Sequence, residues 1–122
     1  MIIKRIVFLA NSRKNLERCV AGIEVLQNGY GDWIRPISLR PGGGLNQIER
    51  CYVNNIEPSI LDIIDIALIS HRPHLNHTED WLTSTRRHWI KRGSISWNTA
   101  FSLVDSPETL WINGWNTFNG IN

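Results

Sequence analysis

Three histidines recur at an interval of three, His71, His74 and His77, around Pro73. Converging imidazoles are zinc chemistry, and on a helix an i, i+3 spacing brings two of them to one face. Pro73 works against a helix, and an extended strand would alternate these positions between faces. Neither a cysteine pair nor a His-Glu-x-x-His motif accompanies them. The expectation is therefore a loop of partly exposed histidines, with no metal and no cofactor. Were the chain a nucleotide or nucleic-acid hydrolase, these histidines and Asp65 would be its candidate groups. Asp62 and Asp65 are three apart, which on a strand sends them to opposite faces and argues against a catalytic pair. Cys19 has no defined nucleophile partner and reads as a buried structural thiol.

Two other constellations point to anions. Arg40-Pro41-Gly42-Gly43-Gly44 is glycine-rich enough for successive backbone N–H groups to converge on a phosphate. No Gly-Lys-Ser/Thr follows, so it is not a Walker loop, and a loop between strands is the expected reading. The second set combines arginine with aromatic rings. Ten of the thirteen basic residues are Arg and six residues are Trp. Guanidinium forks match phosphate, and indole faces stack on bases without a fixed sequence. Trp33 and Arg35 share a predicted strand face next to Tyr30, while Arg86 and Arg87 lie between Trp81 and Trp89. Phosphates would then pair with Arg35, Arg40 and Arg86, and a base would stack on Trp33 and Tyr30. Against this, three or four of the six Trp are expected in the core, and Arg35 could instead pair with Asp65 inside a barrel.

The elements that must position these groups follow from periodicity. Residues 2–10 read as a strand ending at the turn formers Asn11-Ser12, with 12–17 as loop. A second strand, 18–26, puts Cys19, Ala21, Ile23 and Val25 on one face. After the turn 27–31, a third strand covers 32–39 as hairpin partner, with Trp33, Arg35 and Ile37 on one face. Pro36 places that strand at an edge or on a bulge. The apolar run 61–70 suits a central strand buried on both faces. Residues 78–93 carry helix signals: Thr78 as cap, Glu79 and Asp80 early, Lys91 and Arg92 late, Gly93 as stop. This gives a helix within 79–92, with Trp81, Leu82, Thr85 and Trp89 on one face. A second helical turn is expected at Ser106-Pro107-Glu108. The resulting class is mainly β with one or two helices (α+β), as a small OB-like β-barrel.

Composition bounds the rest. The 122 residues make one domain, 42% hydrophobic and 20% charged, with net charge +2. That surplus is too small to indicate nucleic acid by itself. No apolar stretch is long enough to span a bilayer or form a signal-peptide core. Two Cys exclude a disulfide scaffold and fit a reducing cytoplasm.

Several stretches, in order, resemble the prokaryotic dual OB-containing domain proteins. Cys19-Val20-Ala21-Gly22-Ile23 and Gly31-Asp32-Trp33-Ile34-Arg35-Pro36-Ile37-Ser38 are similar to that family's Cys-x-Ala-Gly and Trp-Ile-Arg-Pro strands. Leu61-Asp62-Ile63-Ile64-Asp65-Ile66 resembles its Leu-Asp-Ile-Val strand. His77-Thr78-Glu79-Asp80-Trp81 resembles its Gln-x-Glu-Asn segment with His and Asp substituted, and Leu110-Trp111-Ile112-Asn113-Gly114 its Leu-Trp-x-Asn-Gly stretch. The resemblance implies an OB-like domain over 1–122, either truncated relative to a longer two-barrel family or a natural short form. It also implies nucleic-acid or nucleotide handling in prokaryotic conflict systems, and it would start the helix later, near Ser84.

The leading expectation is a non-catalytic nucleic-acid or nucleotide-binding module acting through Tyr30, Trp33, Arg35, Arg40 and Arg86. The alternatives are a protein-interaction or oligomerisation subunit docking through Trp111, Trp115 and Phe118, and the hydrolase named above.

Overall fold

The computed structural model describes residues 1–14, 16–73 and 78–103. Three long strands come first: β1 (Ile2–Lys14), β2 (Glu17–Leu26) and β3 (Gly29–Ile37). A short helix, α1 (Gln47–Arg50), precedes β4 (Asp62–His71), and β5 (Asp80–Thr83), β6 (Ile90–Ser94) and α2 (Trp97–Leu103) complete the order.

Five strands close on themselves. β1 pairs with β2, β2 with β3, β3 in parallel with β5, β5 with β4, and β4 back with β1; β6 adds to β4 beside β5. Register shifts between Phe8 and Ala10, between Ile23 and Val25, and between Leu68 and Ser70 mark irregularities that bend the sheet into a ring. Gly22 permits the closest approach, since a Cβ there would lie 2.1 Å from the Val7 carbonyl oxygen.

The ring has a core on each face. Inside lie Ile6, Phe8, Val20, Ile34, Ile64 and Ile66, with Trp89 edge-on to Phe8 at 6.5 Å. Outside, Val7, Leu9 and Ile23 are covered by Ala100, with Leu103, Ile95 and Trp33 packed alongside. Double coverage is why residues 6–10 are continuously apolar instead of alternating. α2 starts where Ser96 Oγ accepts from Thr99 N (3.2 Å), an N-cap. α1 begins in a capping box in which Asn46 and Glu49 exchange side chain-to-backbone bonds of 3.0 and 2.8 Å.

The mainly-β, two-helix class and the central position of residues 61–70 match the sequence reading, but several elements differ. There is no helix within 79–92. Asp80–Thr83 hydrogen-bonds between β3 and β4, and Trp81 and Trp89 reach the inner core from separate segments, so their helical spacing is coincidental. Pairing with β2 also extends β1 through the polar residues Asn11 to Lys14, where a turn and loop were expected. Pro36 lies inside the sheet. Arg35 N–H donates to Glu79 O on the β5 side (2.8 Å), so the next nitrogen faces the other way, beyond the last β2–β3 pair Gly22↔Ile34. Of the described tryptophans only Trp89 is fully buried; Trp33 and Trp81 are half-buried and Trp97 is exposed. The turn expected at Ser106-Pro107-Glu108 lies outside the described residues.

Candidate functional site

The chain leaving β3 turns back on itself. Gly43 N–H donates to Arg40 O (2.9 Å), closing a β-turn over Arg40-Pro41-Gly42-Gly43. Pro41 at its second position and Gly42 (φ 84°) at its third are what a type II turn requires. Gly43 (φ 72°) then packs close to β3, where a Cβ would lie 3.2 Å from Ile37 Cβ. Ser38 fixes the base of the loop, its N–H donating to Gly43 O (3.1 Å) and its hydroxyl to Gly44 O (2.6 Å). With its Gly43 N–H consumed in the turn, the loop is a shaped wall and not an open nest of amides.

Arg40 holds this wall in place. Its guanidinium bonds Glu17 at the start of β2, Glu49 on α1 and Gly44 O (3.1 Å). Glu49 first, and then Glu17, raise its pKa above the ordinary arginine value. On β3, Arg35 makes a bidentate pair with Asp80 of β5, at 2.7 and 2.9 Å. That bond is the largest cause of the upward pKa shift of Arg35, partly opposed by burial. The pairing of Arg35 with Asp65 does not occur. Asp65 instead takes Arg5 (2.7 Å) and Arg92 (2.8 Å), and the bond to Arg5 is the main reason its carboxyl sits below the usual range.

Between the loop and the start of β5 lies a cavity of about 570 Å³, lined by Arg35, Ile37, Arg40, Gly43, Arg72 and Asp80 among others. That volume suits a small-molecule or nucleotide-sized group. Its charges are unevenly balanced. Asp80 neutralises Arg35, and two glutamates engage Arg40. Arg72 is tied only through its backbone, whose N–H donates to Asp80 O (2.8 Å), and its exposed side chain has no carboxylate partner among the described residues. The cavity therefore presents one uncompensated guanidinium beside two that are fixed in place.

Of the residues singled out in the sequence, the structure brings Arg35 and Arg40 to this cavity and leaves three outside it. Trp33 packs against the outer core with its indole N–H buried and unpartnered. Tyr30 is 44% exposed at the start of β3. Arg86 lies in the exposed turn between β5 and β6, its N–H on Ser84 Oγ (3.3 Å). His71 contacts Thr78 O (2.5 Å) and stacks on Trp81 at 4.7 Å. His74, His77, Trp111, Trp115 and Phe118 lie outside the described residues. Cys19 is a half-buried free thiol, and Cys51 is buried and also free. No group of three or more His, Cys, Asp or Glu suited to a metal occurs among the described residues.

Sequence reasoning missed Arg72 and Asp80. Asp80 looked like a helix N-terminal acid, and its partner is 45 positions away. Arg72 carries no local signal, since only the fold places it opposite the glycine loop.

A family model described as a dual OB-containing domain matches residues 4–122. No curated protein and no solved structure matches. No described helix is long and apolar enough to cross a membrane.

Proposed function

From the premise that the chain belongs to the dual OB-containing domain family, we propose that it is a non-catalytic module binding nucleic acid or a nucleotide at the Arg35–Arg40–Arg72 cavity. OB folds as a class bind oligonucleotides and oligosaccharides, and the arginine lining selects the phosphate-bearing one. The observation that carries the reading is Arg72, a cation with no carboxylate partner among the described residues, lining the same cavity as two arginines held rigid by acids. A ligand phosphate entering there gains a charge partner without breaking one. Bases extending along β3 meet the half-buried Trp33 and the exposed Tyr30 ring. A place in a prokaryotic conflict system, implied by the resemblance, and a cytoplasmic setting are part of the same proposal.

The test is fluorescence anisotropy with a labelled single strand at low salt. Binding that weakens on adding salt and on Arg72→Ala is expected. No binding at low salt, or wild-type affinity in Arg72→Ala, overturns the reading.

A further inference from the structure

The net charge of +2 conceals a segregation. Lysines and arginines engage Glu17, Glu24, Glu49, Glu57, Asp62, Asp65 and Asp80. The acids are thus largely spent within the sheet. The exposed arginines without a carboxylate contact among the described residues are Arg13 near the end of β1, Arg72 directly after β4, and Arg86 and Arg87 in the turn after β5, whereas the half-buried Arg18 bonds Asn11 (3.4 Å).

Three of these four flank β5. Arg72 is held beside its first residue by the bond to Asp80 O. At the far end Ser84 N–H donates to Ala67 O (2.9 Å) and Ser84 Oγ accepts from Arg86 N (3.3 Å), which fixes the start of the turn. At about 3.3 Å per residue, the four steps from Asp80 to Ser84 separate the two attachment points by roughly 13 Å of backbone. That spacing exceeds one phosphate and suits two.

We infer that the ligand is an oligonucleotide strand of about four or more nucleotides, spanning β5 with phosphates at Arg72 on one end and at Arg86–Arg87 on the other, in preference to a mononucleotide. This rests on the reading of the cavity as a phosphate site and assigns the turn between β5 and β6 as its second half. OB folds accommodate strands of about this length or longer, at ~4–16 nucleotides each. The strand is recognised by its phosphate spacing, and Arg87 joins Arg86 as a length-determining residue.

The experiment compares the full chain with an Arg86→Ala/Arg87→Ala double variant, using a labelled deoxythymidine decamer by anisotropy and thymidine monophosphate by calorimetry. Both side chains are exposed, so the fold is retained. The double variant should bind the decamer about ten-fold more weakly. Its log–log salt slope should be smaller by about 1.4, two phosphate contacts at ~0.7 each. Affinity for the monophosphate should not change. Wild-type decamer affinity and slope in the double variant overturn the inference while the cavity reading stands. Equal affinity of wild type for decamer and monophosphate has the same effect. If wild type binds neither probe, or Arg72→Ala binds both as wild type does, the cavity reading itself falls and takes this inference with it.

Discussion

Replacing Asp80 by Asn should move stability and binding in opposite directions. The Asp80 side chain is 3% exposed and that of Arg35 19%, so their bidentate pair is almost wholly out of water. Removing one partner of a buried pair typically costs ~3–5 kcal/mol, because the remaining charge is left unpaired. Asn keeps one acceptor oxygen for Arg35, and a fifth of the arginine side chain still meets solvent, which lowers the expected cost to ~2–3 kcal/mol. For a domain of this size that is a fall in Tm of roughly 8–12 °C, followed by circular dichroism. The same change removes a negative charge from the cavity wall. At an effective dielectric between protein surface and water, a unit charge about 6 Å from a ligand phosphate is worth ~1 kcal/mol, roughly five-fold in affinity. Anisotropy well below the lowered Tm should therefore show tighter binding of a single strand. A variant that loses stability without gaining affinity would refute the assignment of this wall to the ligand.

Three further outcomes follow from the packing and the charges. Gly22→Ala would press its Cβ onto the Val7 carbonyl at 2.1 Å, and should cost more than ~3 kcal/mol and abolish cooperative melting. The Asp65 carboxyl is held below the usual range, chiefly by Arg5 and then Arg92. Its contribution to stability is therefore complete above the unfolded carboxyl pKa of ~4 and is lost as pH falls through the lower folded value. Asp65→Asn should flatten the acid limb of a Tm-versus-pH profile. Tyr52 is the converse: burial first, and then its bond to Asp62 (2.7 Å), push its hydroxyl pKa up. Its stabilising contribution is present below pH ~10 and fades as pH rises beyond it, so Tyr52→Phe should cost ~1 kcal/mol at neutral pH and remove that part of the alkaline loss.

What the sequence makes legible is the part of the molecule governed by local pattern. Residues 2–10 announce a strand, and the apolar run 61–70 a central one, which pairs with β1 on one edge and with β5 and β6 on the other. The β2–β3 hairpin follows from its turn residues. Residues 79–92 mislead because Thr78, Glu79, Asp80 and the late basic residues satisfy every local rule for a helix, while pairing of Asp80–Thr83 with two strands overrides them. α2 escapes notice although Ser96 is a good N-cap, since its seven residues are too few to display a period. The site divides the same way. Arg35 and Arg40 stand out by type and by the turn beside them. Asp80, Glu17 and Glu49 decide how much of that charge remains for a ligand, and they reach it only through the parallel β3–β5 pairing and the folded-back loop.

The most direct measurement is a two-dimensional ¹H–¹⁵N NMR titration of the full chain with a short single-stranded oligonucleotide at low salt. Binding in the cavity predicts saturable shift changes centred on Arg35, Ser38 to Gly43, Arg72 and Asp80, extending to Arg86 and Arg87. Shifts absent at saturating strand, or confined to surfaces away from these residues, would contradict it.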